Sequence, residues 1–227
     1  MVVSAFLVRR EERSSQLAKS RKPKSVKKVT RKRRERKSVL PKLKKVEWTL
    51  RPEILLCPNT PAPMHGVVPR NILGTKWWNA TRKAAYALTN FHCHACGTFK
   101  SDVKGSRKHL EGHELYDVDY KAGTITYIET IALCPYCHQY IHDGRLFALM
   151  KKRIITQKKY TSVIQHGDAI LHSAGLERLT RVDRDKEIRA AVLKGEVAEW
   201  SKWRLILRGN QYPPKYKTVE QWEKAHA

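Results

Sequence analysis

The pattern of apolar and polar positions changes texture between Ser106 and Leu133, where strand-forming residues gather in two runs, "HLEGHELYDVDY" and "TITYIETIAL". The turn-forming "KAG" separates them, so the segment predicts a β-hairpin. Upstream, Trp77, Trp78, Arg82, Tyr86 and the alanines among them recur at helical spacing, which predicts a helix ahead of "TNFHCHACG". Downstream, a helix is expected to begin within the Cys134–His138 turn, with Gly144 interrupting it before an apolar rhythm at Leu146, Leu149 and Ile154. From Gln157 to Ala174 the residues Tyr160, Val163, Ile164, Ile170 and Leu171 mark the apolar side of a further helix, and Gly175 supplies its stop. Another helix is expected from Arg184 through Trp203. The proline-rich "PNTPAPMHGVVPRN", Pro58 to Asn71, reads as a connector lying extended across the surface. No internal repeat is visible, and the elements together define an α+β chain.

Charge divides the chain. Of 227 residues, 1–46 carry 18 lysines and arginines against three glutamates, a net of +15 out of a formal +25. Hardly any aromatic or branched apolar residue accompanies them between Arg9 and Lys45, so nothing there offsets the entropy of ordering, and a disordered basic arm is expected. The remainder still carries +10. Charges of this density repel one another unless a partner neutralises them, which points to a polyanion, above all nucleic acid; the plainer reading of the arm is a solvated tail. No run approaches the roughly 20 apolar residues that span a membrane. "VVSAFLV" at residues 2–8 is too short for a signal-peptide core and lacks a basic segment before it, so secretion is not expected.

Five cysteines include two Cys-x-x-Cys pairs, Cys93 with Cys96 and Cys134 with Cys137, a pattern that in a reducing compartment argues for metal rather than disulfides. Four thiolates at this spacing make a closed tetrahedral zinc site, which is structural because no coordination position stays open. It would clip the segment before the hairpin to the start of the helix after it. Cys57 is left over and reads as a half-buried thiol. His138 and His142 stand four apart, one helical turn, and could grip one ion together if a third ligand joined them; His113 in the hairpin is positioned to do so. His92, His94, His109, His166 and His172 read as surface or hydrogen-bonded side chains. Trp200, Trp203 and Trp222 read as packing residues rather than base-stacking platforms.

The order "CHAC", "LEGHELYDVDY", "IALCPYCHQYIHDGR" resembles the HNH endonuclease family, over roughly Asn90 to Arg145. More loosely the likeness extends to "ILGTKWWNATRKAAY" before it and to the helices after it. The resemblance implies a ββα-metal core at 90–150, clipped by zinc, with a connector and helix at 47–89, a helical C-terminal region at 151–227 and the arm at 1–46. Carried over by position, His113 binds the catalytic ion, Glu114 occupies the place of the general base, His138 is the helix histidine and His142 the extra ligand of members with His-x-x-x-His. Glu129 stands where the family has its middle asparagine, so whatever orients the hairpin loop differs here. A second assignment makes His113 the base and leaves the ion to His138, His142 and Glu111.

The chemistry suits these residue types. Neutral imidazoles leave a divalent ion its full charge to stabilise the phosphorane and the leaving oxygen, while a base beside it deprotonates the attacking water. A carboxylate next to a metal is a weak base of depressed pKa, so Glu114 would act through position. The reading is therefore a metal-dependent endonuclease that hydrolyses phosphodiester bonds, with DNA favoured over RNA by family habit. Its cofactors would be a structural Zn²⁺ and a catalytic Mg²⁺, Mn²⁺, Ni²⁺ or Zn²⁺. Its partner is nucleic acid, double-stranded DNA foremost, and its setting a bacterial cytoplasm, phage-encoded or not. A zinc-ribbon protein that binds nucleic acid without cutting it, as a regulator or packaging factor, is the alternative. A basic ribosome-associated protein would explain the arm but not the histidines.

Overall fold

A hairpin forms the centre of the fold. The computed structural model describes residues 47–103 and 109–226, so the basic arm expected over 1–46 lies outside the described residues. Strands β1 (Glu111–Asp119) and β2 (Thr124–Leu133) pair antiparallel as expected, with Gly123 at φ 71° closing the turn. His113 lies opposite Ile131 and Glu114 opposite Thr130. Pairing then steps from Leu115–Glu129 to Tyr116–Tyr127, which leaves Ile128 as the extra residue of a bulge and turns it out to solvent.

Helix α1 (Pro69–Leu88) begins eight residues earlier than the tryptophan spacing marks and kinks at Gly74, whose φ of 79° suits a residue without Cβ. It lies against the hairpin through Gly112, where an added Cβ would stand 3.0 Å from the Trp78 ring and 3.1 Å from Arg82 Cβ. After β2, Cys134 caps α2 (Pro135–Ile141), its sulfur accepting from the Cys137 amide at 3.5 Å. The break expected at Gly144 falls two residues earlier. His142, at ψ 43°, ends α2 and starts α3 (Asp143–Lys151), and Gly144 sits inside α3. Helix α4 (Gln157–Ser173) matches its prediction and is capped by Thr156. Its Gly167 lies under the Tyr140 ring, with no room for a Cβ, so that α4 closes onto α2.

Two expectations fail. The stretch read as one helix from Arg184 to Trp203 is α5 (Arg181–Leu193), a turn at Gly195, and a short 3-10 turn at Trp200–Lys202. Beyond it come strands β3 (Arg204–Leu207) and β4 (Asn210–Tyr212), then α6 (Val219–His226), so the C-terminal region is not wholly helical. β3 adds parallel to β2, giving the sheet order β1-β2-β3-β4. Nor is Pro58–Asn71 an extended surface connector: it makes a 3-10 turn at Ala62–Met64, buries Met64 completely, and passes into α1 at Pro69. The pull is hydrophobic, on the order of 1.5–3 kcal/mol for each large apolar side chain buried.

The core has two lobes. One gathers Ile54, Leu55, Ile131, Leu133, Tyr140 and Leu171 around the cysteines. The other joins Met64 and Val67 to Ile125, Trp203, Leu205 and Leu207, so the strands missed from the sequence are what the connector packs against. Trp203 is 2% exposed, and Trp200 donates its indole N–H to the Tyr216 carbonyl at 2.6 Å, both packing roles as read. Cys57 is half-buried, and burial raises its thiol to about 11. Among the described residues no helix is long and apolar enough to cross a membrane.

Helix α6 is tied down by one polar contact. Trp222 Nε1 donates to His65 Nδ1 at 3.0 Å, while His65 Nε2 meets the Thr60 carbonyl at 3.1 Å, an arrangement that requires neutral His65 with its proton on Nε2. Burial lowers the His65 pKa, and the Thr60 contact opposes that shift. A histidine depressed in the folded state contributes stability that is full above its ordinary value near 6.5 and is lost as pH falls through the folded value. Hydrogen-exchange protection over Val219–His226 is therefore expected to fall between pH 7.5 and 5 while α4 stays protected. Equal protection factors at both pH values would rule out this tether.

Candidate metal centres

The sulfurs of Cys93, Cys96, Cys134 and Cys137 lie within 4.8 Å of one another. Cys93 and Cys96 come from a tight turn in which Gly97, at φ 72°, donates its amide to the Cys93 carbonyl at 2.9 Å. That turn is fastened to the sheet by the His94 amide on the Ala132 carbonyl, 2.8 Å. Four thiolates bound to zinc at about 2.3 Å stand ~3.8 Å apart at the corners of a tetrahedron. The Cys96 and Cys134 sulfurs are 3.8 Å apart. The set can hold a metal ion such as zinc.

His166, read as a surface or hydrogen-bonded side chain, is hydrogen-bonded, and its partners are the cysteine sulfurs. Its Nε2 lies 3.4 Å from Cys137 Sγ and 3.9 Å from Cys134 Sγ, and the thiolates of Cys134 and Cys96 raise its pKa to about 9. An imidazole N–H donated to a metal-binding sulfur is a common outer partner of such sites. One signal for it exists in the sequence: His166 falls between Val163 and Ile170, within the apolar stripe of α4.

A second cluster begins one residue later. His138 follows Cys137 directly, and with His113 and His142 it offers ligand nitrogens within 4.8 Å of one another. The ring centroids form a near-equilateral triangle of 4.9, 5.0 and 5.2 Å. His113 comes from β1, His138 from α2, and His142 from the junction of α2 and α3. Burial lowers the pKa of His113 well below its ordinary value and that of His142 to about 4, with the cations Arg70 and Arg145 adding to the His142 shift. Both rings are neutral at pH 7, and neither spends a nitrogen on a hydrogen bond among the described residues. Glu111 is not a member of the triangle. Its Oε2 takes the His138 Nδ1 proton at 2.6 Å, which leaves Nε2 of His138 free, and this bond holds the Glu111 carboxyl below the ordinary carboxylate range.

Glu114 leaves β1 on the face opposite His113 and is buried against the start of α1. Its carboxylate accepts from the Arg70 amide at 3.3 Å and pairs with the Arg70 guanidinium at 3.4 Å. Burial raises its pKa, with Arg70 pulling the other way. The Tyr116 hydroxyl is pushed up by burial and by the nearby Glu114 carboxylate. Glu129, in the place expected of an asparagine, accepts from Arg51 Nη1 at 2.6 Å and so pins the segment before the first 3-10 turn to the sheet. Arg70 was missed by the sequence reading, since nothing local marks a partner 44 residues away.

His138 and His142 of the triangle line a cleft of about 650 Å³, together with Arg70, Arg82, Glu111, Arg145 and Lys159, and His113 lies buried behind them. Behind His142, Asp143 is buried and receives Arg178, Arg184 and, at 3.3 Å, the Asn59 amide. Three separate parts of the chain thus converge on the residue next to the third imidazole. Comparison of the chain with protein-family models, with curated proteins and with solved structures finds no match.

Two outcomes follow from this geometry. Cys134→Ser should lose one equivalent of bound zinc and unfold the hairpin and α2 together, because binding energy at such a site is folding energy; full zinc content with a native circular dichroism spectrum would contradict it. Asp143→Asn leaves two half-buried arginines short of a counter-charge and should cost about 1–3 kcal/mol in urea unfolding.

Proposed function

We propose that this protein is a metal-dependent endonuclease of the HNH type, hydrolysing phosphodiester bonds of DNA, with a zinc-clipped ββα-metal core. The observation that carries the reading is the imidazole triangle in a cation-lined cleft, one peptide bond from a complete four-cysteine cluster. A protein that only bound nucleic acid would need the cysteines and the charge, but not three imidazoles converging beside them.

In this reading His113, His138 and His142 hold a divalent ion through ring nitrogens. When bound, the ion supplies compensation for the negative charge that builds on the phosphate and the leaving oxygen. Glu111 fixes the His138 ring by accepting its Nδ1 proton, so that the opposite nitrogen faces the cleft. Glu114 is assigned to take the proton of the attacking water: its buried carboxylate is not itself in the cleft lining, but it is held by Arg70, which is. Arg70, paired with Glu114 and stacked 5.2 Å above the Trp78 ring, stands where it can meet a phosphate oxygen. Metal-binding residues, base and phosphate ligand thus come from β1, α2 and the start of α1.

Supercoiled plasmid incubated with the zinc-loaded protein and added Mg²⁺, Mn²⁺, Ni²⁺ or Zn²⁺ should yield nicked or linear product; intact plasmid under every condition would return the reading to a binding protein. His138→Ala and His142→Ala should lose affinity for the second metal. Glu114→Gln should keep it and turn over roughly 10²–10⁴-fold more slowly, since the amide cannot accept a proton. If His113→Ala keeps metal affinity yet loses turnover, while Glu114→Gln stays active, His113 is the base instead.

A further inference from the structure

We propose that Arg82, Arg145 and Lys159 form a clamp on two walls of the cleft, holding backbone phosphates on either side of the one at the imidazole triangle. The proposal rests on the nuclease reading for what lies between the walls. Its own basis is the placement of charge.

Several arginines of the structure meet carboxylates: Arg51 meets Glu129, Arg178 and Arg184 meet Asp143, and within the cleft Arg70 meets Glu114. The other cations of the cleft do not. Among the described residues Arg82, Arg145 and Lys159 have no acidic partner within 4.0 Å, although all three line one concavity. Arg82 Nε is steadied at 3.0 Å by the Asn79 amide oxygen, and Lys159 Nζ rides 3.6 Å from the centre of the Tyr136 ring, so both heads are oriented without being neutralised. Glu111 is the sole carboxylate in the lining, and it is engaged by His138.

Helix geometry argues against a purely structural purpose. Arg145 lies in the first turn of α3 and Lys159 in the first turn of α4, where the positive end of the helix dipole disfavours a cation. An anion between them would be attracted by side chain and dipole together. On the other wall, the close approach at Gly112 brings Arg82 against the strand that carries Glu111 and His113. α1 supplies one wall and α3 with α4 the other. A mononucleotide would satisfy a single wall. A chain of phosphodiesters crossing the triangle would satisfy both.

Affinity for a short DNA duplex, measured by fluorescence anisotropy with zinc-loaded full-length protein and no second metal, tests this without any cleavage. Each of Arg82→Gln, Arg145→Gln and Lys159→Gln should reduce the slope of log affinity against log salt by about 0.9, and the triple variant by about 2.7. Second-metal affinity should not fall below wild type, which separates phosphate contact from damage to the triangle. A triple variant with native circular dichroism and an unchanged slope overturns the clamp, even if the wild-type protein cuts plasmid. Reduced slopes in a protein that cuts nothing would leave the clamp standing and remove the nuclease reading instead.

Discussion

Everything at the centre of this molecule depends on the meeting of four sulfurs at the point where β2 passes into α2. Cys93 and Cys96 reach that point from a turn some 40 residues earlier in the chain, and no extended hydrogen-bonded pairing accompanies them beyond the bridge of His92 with Phe99 and the His94–Ala132 contact. A metal shared by the four would close that loop and fix the first turn of α2 against the end of the hairpin. The next residue, His138, then has its direction set by its neighbour's sulfur. The histidine triangle inherits its rigidity from the cysteine cluster, and this is why consecutive residues can belong to two centres.

Buried charge completes the fixing of the third imidazole. His142 stands at the junction of α2 and α3, its amide on the His138 carbonyl at 3.3 Å and its carbonyl accepting from the Leu146 amide at 3.0 Å. Asp143 adds a second hold, drawing Arg178 from the segment after α4, Arg184 from α5 and Asn59 from the connector. Such a pairing contributes little net stability over an apolar packing of the same shape, because desolvation of the charges consumes most of the Coulomb gain. Its value is in geometry: only one arrangement of α3 satisfies both arginines. The C-terminal region is thereby part of the site's scaffold.

Both ligand clusters were legible in the sequence because their members sit close together in the chain, in pairs whose spacing is itself chemical. The hairpin was legible for a similar reason, its two runs of strand formers being joined by a three-residue turn. What escaped was non-local. β3 and β4 are four and three residues long, and β3 earns its place only by pairing parallel to β2, some 80 residues away, so "RLIL" did not stand out as a strand and the expected helix ran on to Trp203 just before it. Gly195 and the "RGN" turn before β4 were the available signals. Prolines suggested an extended connector, yet Met64 and Val67 found a core built by those same unseen strands. The break at His142 escaped for another reason: glycine 144 looked like the natural weak point, but helix α3 tolerates it and the chain bends at the histidine.

Under the nuclease reading the cations of the cleft act on the metal as well as on the substrate. Burial does most to lower the His142 pKa and keep its lone pair available at neutral pH, and Arg145 and Arg70 add to that. The same positive charges repel a dication approaching the triangle, and in a partly buried cleft that repulsion is weakly screened. A phosphodiester chain lying between the walls would cancel it. Ion and polyanion then favour one another's binding, and linkage requires the favour to be equal in both directions. The arrangement places the reactive ion preferentially where a backbone already lies, so the charge that attracts the substrate also restricts when the site becomes complete.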